Sequence, residues 1–162
     1  MQNIETIYND YFSTVYKYLF CLTKNHDLSE ELTQETFFKA ITKIGSFREE
    51  SKISTWLCTI ARNLYLNELK KQSRLKYVSD EELSSIESLY NLETMVIEDE
   101  ESQALFKKIS KLDSLTKQVL ILRISGDLSF KEISDILGKT ENWARITYYR
   151  GKEKLKEVNL YE

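Results

Sequence analysis

Apolar residues recur at steps of three and four along most of this chain, the spacing that gathers them on one face of an α-helix. Ile4, Ile7, Tyr8, Tyr11, Phe12, Val15, Tyr16, Leu19 and Phe20 form one wide apolar face. The polar corner Asn25-His26-Asp27 interrupts it, and Asp27 or Ser29 can cap the helix that follows. There Leu32, Phe37, Ala40, Ile41 and Ile44 lead to Gly45, a C-terminal stop. A third pattern opens near Ile53 with Trp56, Leu57, Ile60, Ala61, Leu64 and Leu69, then runs into Lys70, Lys71, Arg74 and Lys76.

After a gap the periodicity returns. Leu105, Ile109 and Leu112 predict one helix, and Val119, Leu120 and Leu122 a second that stops near Gly126. Ser129 followed by Glu132 has the spacing of a capping box, in which each side chain satisfies the other residue's free backbone N–H. Ile133, Ile136 and Leu137 give the next short helix its buried face, Gly138 supplies a turn, and Thr140 can cap a last helix. A short helix, a glycine turn and a longer helix are the plan of a helix-turn-helix. At about 100° per residue, Ala144, Tyr148, Gly151 and Leu155 share a narrow packing arc. Arg145, Tyr149, Lys152 and Lys156 lie roughly a quarter-turn away, with Asn142 beside them. Arg and Asn can bond base edges in pairs and Lys can neutralise phosphate, so this face fits DNA; the plainer reading is a solvated basic helix.

Composition agrees with an all-α fold. The 162 residues include no proline and only four glycines, too few for a turn-rich β fold. One histidine, His26, and two cysteines, Cys21 and Cys58, match no zinc spacing and give no disulfide framework. His26 is expected to face solvent or cap a helix, and the cysteines to be free buried thiols in a reducing compartment. With no Gly-rich phosphate loop and no clustered nucleophile and base, the chain does not read as an enzyme, and no metal or cofactor is expected. No apolar run approaches the roughly 18 residues of a membrane span, and the start lacks a signal-peptide pattern, so a cytoplasmic location is expected.

The formal net charge of −3 argues at first against a nucleic-acid partner. Its distribution reverses that inference. Residues 1–77 carry a net +2, residues 78–102 a net −9 without a single basic residue, and residues 103–162 a net +4. The serine-rich acidic stretch reads as a tether, and the chain divides into a domain over 1–77, a linker over 78–102 and a domain over 103–162.

Several stretches, in order along the chain, then carry a family resemblance. Asp27-Leu-Ser-Glu-Glu-Leu-Thr-Gln-Glu-Thr-Phe-Phe-Lys-Ala40, Ser46-Phe-Arg, Ser54-Thr-Trp-Leu57 and Ile60-Ala-Arg-Asn63 resemble region two of bacterial sigma factors. Leu112-Asp-Ser-Leu through Leu120-Ile-Leu-Arg123, with the helix-turn-helix, resembles region four. Two such domains and a linker are the make-up of the extracytoplasmic function (ECF) group. The resemblance implies binding to core RNA polymerase, recognition of the −10 and −35 promoter elements, help in opening DNA, and an anti-sigma partner.

Residue by residue, the resemblance implies a polymerase-docking surface at Glu31, Leu32, Gln34, Glu35 and Phe38. It implies −10 recognition near Asn63, with Asn67, Lys70, Lys71 and Arg74 as the polar and basic track. Arg145, Tyr149 and Arg150 match positions that contact the −35 element, joined on the wheel by Asn142 and Lys152, while Arg123 matches a phosphate-facing arginine. Arg150 lies off the base-reading face, which suits phosphate contact. Trp56 fits either a core position or a stacking platform. Glu141, Asn142, Trp143, Ile146, Tyr148 and Gly151 depart from the common family pattern, which puts the preferred −35 sequence in question but not the motif. Glu141 could accept from a cytosine amino group or simply favour the positive end of its helix. The roughly 25-residue linker reaches about 80–90 Å when extended, enough to span elements two helical turns, about 70 Å, apart. The competing reading is a helix-turn-helix regulator whose N-terminal bundle senses a ligand or dimerises.

Overall fold

The computed structural model describes residues 3–47, 50–74 and 100–160; most of the acidic stretch, and Lys76, lie outside them. The chain forms two compact units, Met1–Met95 and Val96–Glu162, and every described regular element is helical.

In the first unit α1 (Ile4–Thr23), α2 (His26–Lys43) and α3 (Ile53–Arg74) pack pairwise around one core. Val15 and Leu19 meet Leu32, Phe37 and Ala40 of α2 and Leu57, Ala61 and Leu64 of α3. The apolar face of α1 is narrower at its start than the periodicity predicts. Ile4 and Tyr8 stay exposed, whereas Tyr18, outside the predicted face, is fully buried. The helix ends where Lys24 turns left-handed at φ 56° and returns its N–H to the Phe20 carbonyl. Asn25, rather than Asp27 or Ser29, caps α2: its Oδ1 accepts from the Leu28 N–H at 2.9 Å. Ser29 instead braces the corner, donating to the Asn25 carbonyl at 2.7 Å and bonding the Thr23 hydroxyl at 2.6 Å. The buried hydroxyls of Thr33 and Thr36 donate to the carbonyls of Ser29 and Leu32, so α2 packs polar side chains without stranding them. It passes into a 3₁₀ turn, Ile44–Ser46, and Gly45 lies inside that turn instead of forming a left-handed cap.

The second unit contains α4 (Glu100–Ser110), α5 (Ser114–Ile124), α6 (Phe130–Leu137) and α7 (Glu141–Leu160). Glu100, Glu101 and Ser102, assigned by composition to the linker, form the first turn of α4, where carboxylates oppose the positive end of the helix dipole. Phe106 and Ile109 are its buried residues. The central element is α5, buried continuously from Thr116 to Leu122. Asp113 caps it, accepting from the Thr116 N–H and hydroxyl at 3.1 and 3.0 Å. The predicted capping box closes α6: the Glu132 N–H donates to Ser129 Oγ at 3.0 Å, and the Ser129 N–H to Glu132 Oε1 at 2.8 Å. Gly138 ends the helix at φ 68°, where a side chain would be strained. Thr140 accepts from the Trp143 N–H at 3.1 Å and starts α7.

Gly151, with no side chain, lets α7 press onto α5, and Ala144 is buried on the same face. A Cβ built on Gly151 would stand 2.8 Å from Thr116 Cγ2 and 3.1 Å from Leu120 Cδ1. Thr116 is β-branched and pinned by its bond to Asp113, and Leu120 is fully buried, so neither yields easily. Gly151→Ala should therefore lower stability by about 1–2 kcal/mol, overpacking outweighing the better helix propensity of alanine. Thermal or urea unfolding of the full chain measures it.

Candidate nucleic-acid interface

Exposure on α7 follows the predicted wheel. Ala144, Gly151 and Leu155 are buried, and Asn142, Arg145, Tyr149, Lys152 and Lys156 face solvent on a stripe beside them. Arg150 is also exposed, on the opposite flank of that stripe. Glu141 is the first residue of α7, at the positive end of that helix as one of its two readings has it, and its carboxylate also binds Arg145 one turn on, at 3.1 Å.

The sequence alone did not reveal what lies under this stripe. Phe130, the first residue of α6, packs against Tyr148 and Tyr149 with ring centroids 5.5 and 6.2 Å away. Three cations sit over this aromatic cluster. The Arg123 guanidinium is 4.3 Å from the Phe130 centroid, that of Arg145 is 5.4 Å from the same ring, and Lys152 Nζ is 5.5 Å from Tyr148. Arg123 also donates from Nη1 to the Leu128 carbonyl at 2.9 Å, so it ties the α5–α6 turn as well as facing the cluster. The wheel placed Tyr148 on the packing arc; it is half-buried and shared between the core and this platform. A run of adjacent aromatics, Tyr148-Tyr149, three residues after Arg145 was the available signal.

In the first unit, α3 leaves the core after Tyr65, which is half-buried against it, and no residue beyond Leu64 is fully buried. Asn63, Asn67, Lys70 and Arg74, with Lys71 beside them, follow one another at steps of four, three and four, and all five are exposed on one stripe. Leu69, read as a core position from its spacing, is 41% exposed because it lies beyond the bundle. Trp56 is a rim residue, packed on the core and stacked on Phe47 at 4.7 Å.

A third exposed stripe runs along α2 through Glu31, Gln34, Glu35 and Phe38, with Phe38 68% exposed. Leu32 does not belong to it. At 3% exposure it is turned into the core by the same helical period that turns Glu31 and Glu35 outward, so it packs α2 and presents no surface for a partner.

His26 neither faces solvent freely nor caps a helix. Nδ1 is hydrogen-bonded to the Tyr16 hydroxyl, and Nε2 lies 3.4 Å from Glu30. Burial, with the charges of Glu30 and Asp27, holds the Tyr16 hydroxyl well above the usual phenol range. Cys21 and Cys58 are buried thiols that form no disulfide, and burial pushes the Cys58 thiol up to about 12, which leaves it a poor nucleophile. Among the described residues no cluster of His, Cys, Asp and Glu could hold a metal ion, and no helix is long and apolar enough to cross a membrane.

Comparison with known proteins accounts for both units. Residues 7–75 match the family described as Sigma-70 region 2, and residues 102–155 match Sigma-70, region 4. The chain is 32% identical over 160 residues to the RNA polymerase sigma factor YlaC of Bacillus subtilis, covering 96% of this chain and 91% of that one. It is 30% identical to the ECF RNA polymerase sigma factor SigM of the same organism, covering 96% and 94%. The chain belongs to the ECF sigma factors of RNA polymerase. The sigma factor RpoE of Bartonella quintana, solved in complex with the anti-sigma factor NepR, shares the fold with a TM-score of 0.68 at 21% identity, over 95% of this chain and 94% of that one. The sigma factor is thus a transcription initiation factor that directs RNA polymerase to promoters, and the reading of its first domain as a ligand sensor gives way to region 2.

The aromatic platform generates a test. Phe130→Ala removes the ring beneath Arg123 and Arg145 and should weaken holoenzyme binding to the upstream half of a promoter by about 1–2 kcal/mol, while far-ultraviolet circular dichroism stays helical.

Proposed function

We propose that each exposed stripe of the sigma factor has one task. Glu31, Gln34, Glu35 and Phe38 of α2 dock on core RNA polymerase, where two acids one turn apart meet basic partner residues around an apolar contact. Asn63, Asn67, Lys70, Lys71 and Arg74 of α3 hold the opened −10 element, the amides toward unstacked bases and the cations along the backbone. Asn142, Arg145, Tyr149 and Lys152 of α7 enter the major groove of the −35 element, with Arg123 and Arg150 toward phosphates. Residues 1–77 and 103–162 act as the two binding domains, and the acidic stretch between them tethers both to one promoter, which raises effective concentration without new contacts. Its charge keeps it off the DNA.

The observation that supports this reading best is sidedness. On α2, α3 and α7 the residues assigned to contacts are the exposed ones, Leu32 apart, while Arg123 of α5 is half-buried. The factor catalyses no step of its own and acts in the cytoplasm. An anti-sigma protein regulates it by covering these surfaces; the similar RpoE of Bartonella quintana was solved in complex with the anti-sigma factor NepR.

Run-off transcription with purified core polymerase across a genomic template library tests the proposal. Promoter-specific transcripts are expected, and their absence overturns it. In the same assay Arg145→Ala should weaken recognition of the upstream element by about 1–3 kcal/mol, the value of a bidentate base contact. Asn63→Ala should leave upstream binding intact and impair opening, read as permanganate-reactive thymines near the start site.

A further inference from the structure

Three large apolar side chains are exposed among the described residues of the second unit: Ile124, Ile146 and Tyr149. Two of them stand three residues apart on α7, on the stripe that carries Asn142 and Arg145. Ile146 is 41% exposed and lies between Asn142 and Arg150, one turn after Asn142 and next to Arg145. Neither packing nor helix propensity accounts for it. The buried face of α7 is the opposite one, through Ala144, Gly151 and Leu155, and isoleucine is a weaker helix former than the Lys, Arg or Glu common at solvated positions.

We propose that Ile146 is a specificity-determining residue that reads the 5-methyl group of one thymine in the upstream promoter element. The inference rests on the reading of α7 as the major-groove helix. Isoleucine has no donor or acceptor, so it cannot bond a base edge or a phosphate. In the major groove the thymine methyl is the apolar group that the four bases offer. Against a guanine or cytosine edge the same side chain would cover a polar atom and leave it unpaired, which disfavours those bases. Its neighbours supply the complement: Asn142 suits adenine and Arg145 suits guanine. Ile146 sits in the second turn of α7, within the N-terminal part of a recognition helix that faces base edges.

The test uses holoenzyme assembled from the full chain and core RNA polymerase. A preferred duplex is selected from a pool randomised across the upstream element. Each thymine in that element is then replaced singly by deoxyuridine, which removes only the methyl group. For the native chain one replacement should weaken binding about fourfold, the value of one buried methyl-sized group. Ile146→Ala should bind the thymine and uracil duplexes equally, Ile146→Val should keep part of the preference, and circular dichroism should show all chains equally helical. A selected element without thymine, no sensitive position, or the same loss in native chain and Ile146→Ala overturns the proposal. Arg145→Ala separates the two levels. If it binds the selected duplex as tightly as the native chain, the assignment of α7 to the groove falls and this proposal with it. If it binds weakly while the uracil swaps have no effect, only the role of Ile146 falls.

Discussion

A helix can bury only about half of its circumference in a small bundle, and that constraint organises both units of this sigma factor. On α2, Leu32, Phe37 and Ala40 point into the core, and the 3.6-residue period then leaves Glu31, Gln34, Glu35 and Phe38 outward. On α7, Gly151 allows a close approach to Thr116 and Leu120, which together with the burial of Ala144 and Leu155 fixes the rotation of the helix about its axis. Once that rotation is set, the direction of Arg145 and Lys152 is set with it. Function here is the outer half of a pattern whose inner half is packing.

The charges depend on the same division. Averaged over the chain, the balance is mildly acidic, yet the exposed stripes of α3 and α7 are basic. On and beside α7 the cations are not simply solvated. Arg123, Arg145 and Lys152 lie over Phe130 and Tyr148, and Arg145 is held from its other side by Glu141. Ordering a long side chain before binding lowers the entropy lost when it meets a base or phosphate. The pairing with Glu141 has an opposite effect, since that bond at the exposed surface must loosen if both guanidinium edges are to turn to a ligand. At about half exposure for each partner its contribution is small, so the platform outweighs it.

Most helices were legible in the sequence because spacing at three and four residues reports burial directly. The capping box at Ser129, the turn at Gly138 and the cap at Thr140 were legible because each depends on side chains within three residues. Other features depended on the third dimension. Asn25, Asp27 and Ser29 are all competent caps two residues apart, and the left-handed turn at Lys24 chose among them. Leu69 keeps the apolar period, but α3 outruns the bundle before reaching it. Leu32 lies among the exposed residues of the α2 stripe in sequence and is separated from them only by the turn of the helix. The contact of Phe130 with Arg145 joins residues fifteen positions apart on two helices, so no local spacing signals it. His26 was unreadable for the same reason, since its partner Tyr16 lies across the α1–α2 corner.

The central claim is that two separately folded units present one nucleic-acid surface each, α3 for the downstream element and α7 for the upstream one. Hydroxyl-radical footprinting of saturating holoenzyme on a promoter, with the native chain, Arg145→Ala and Asn63→Ala compared, addresses it most directly. The native chain should protect two segments about two helical turns apart. Arg145→Ala should lose the upstream segment alone, and Asn63→Ala should keep it while altering the downstream one. Simultaneous loss of both segments in either variant, or an upstream footprint indifferent to Arg145, would contradict the account.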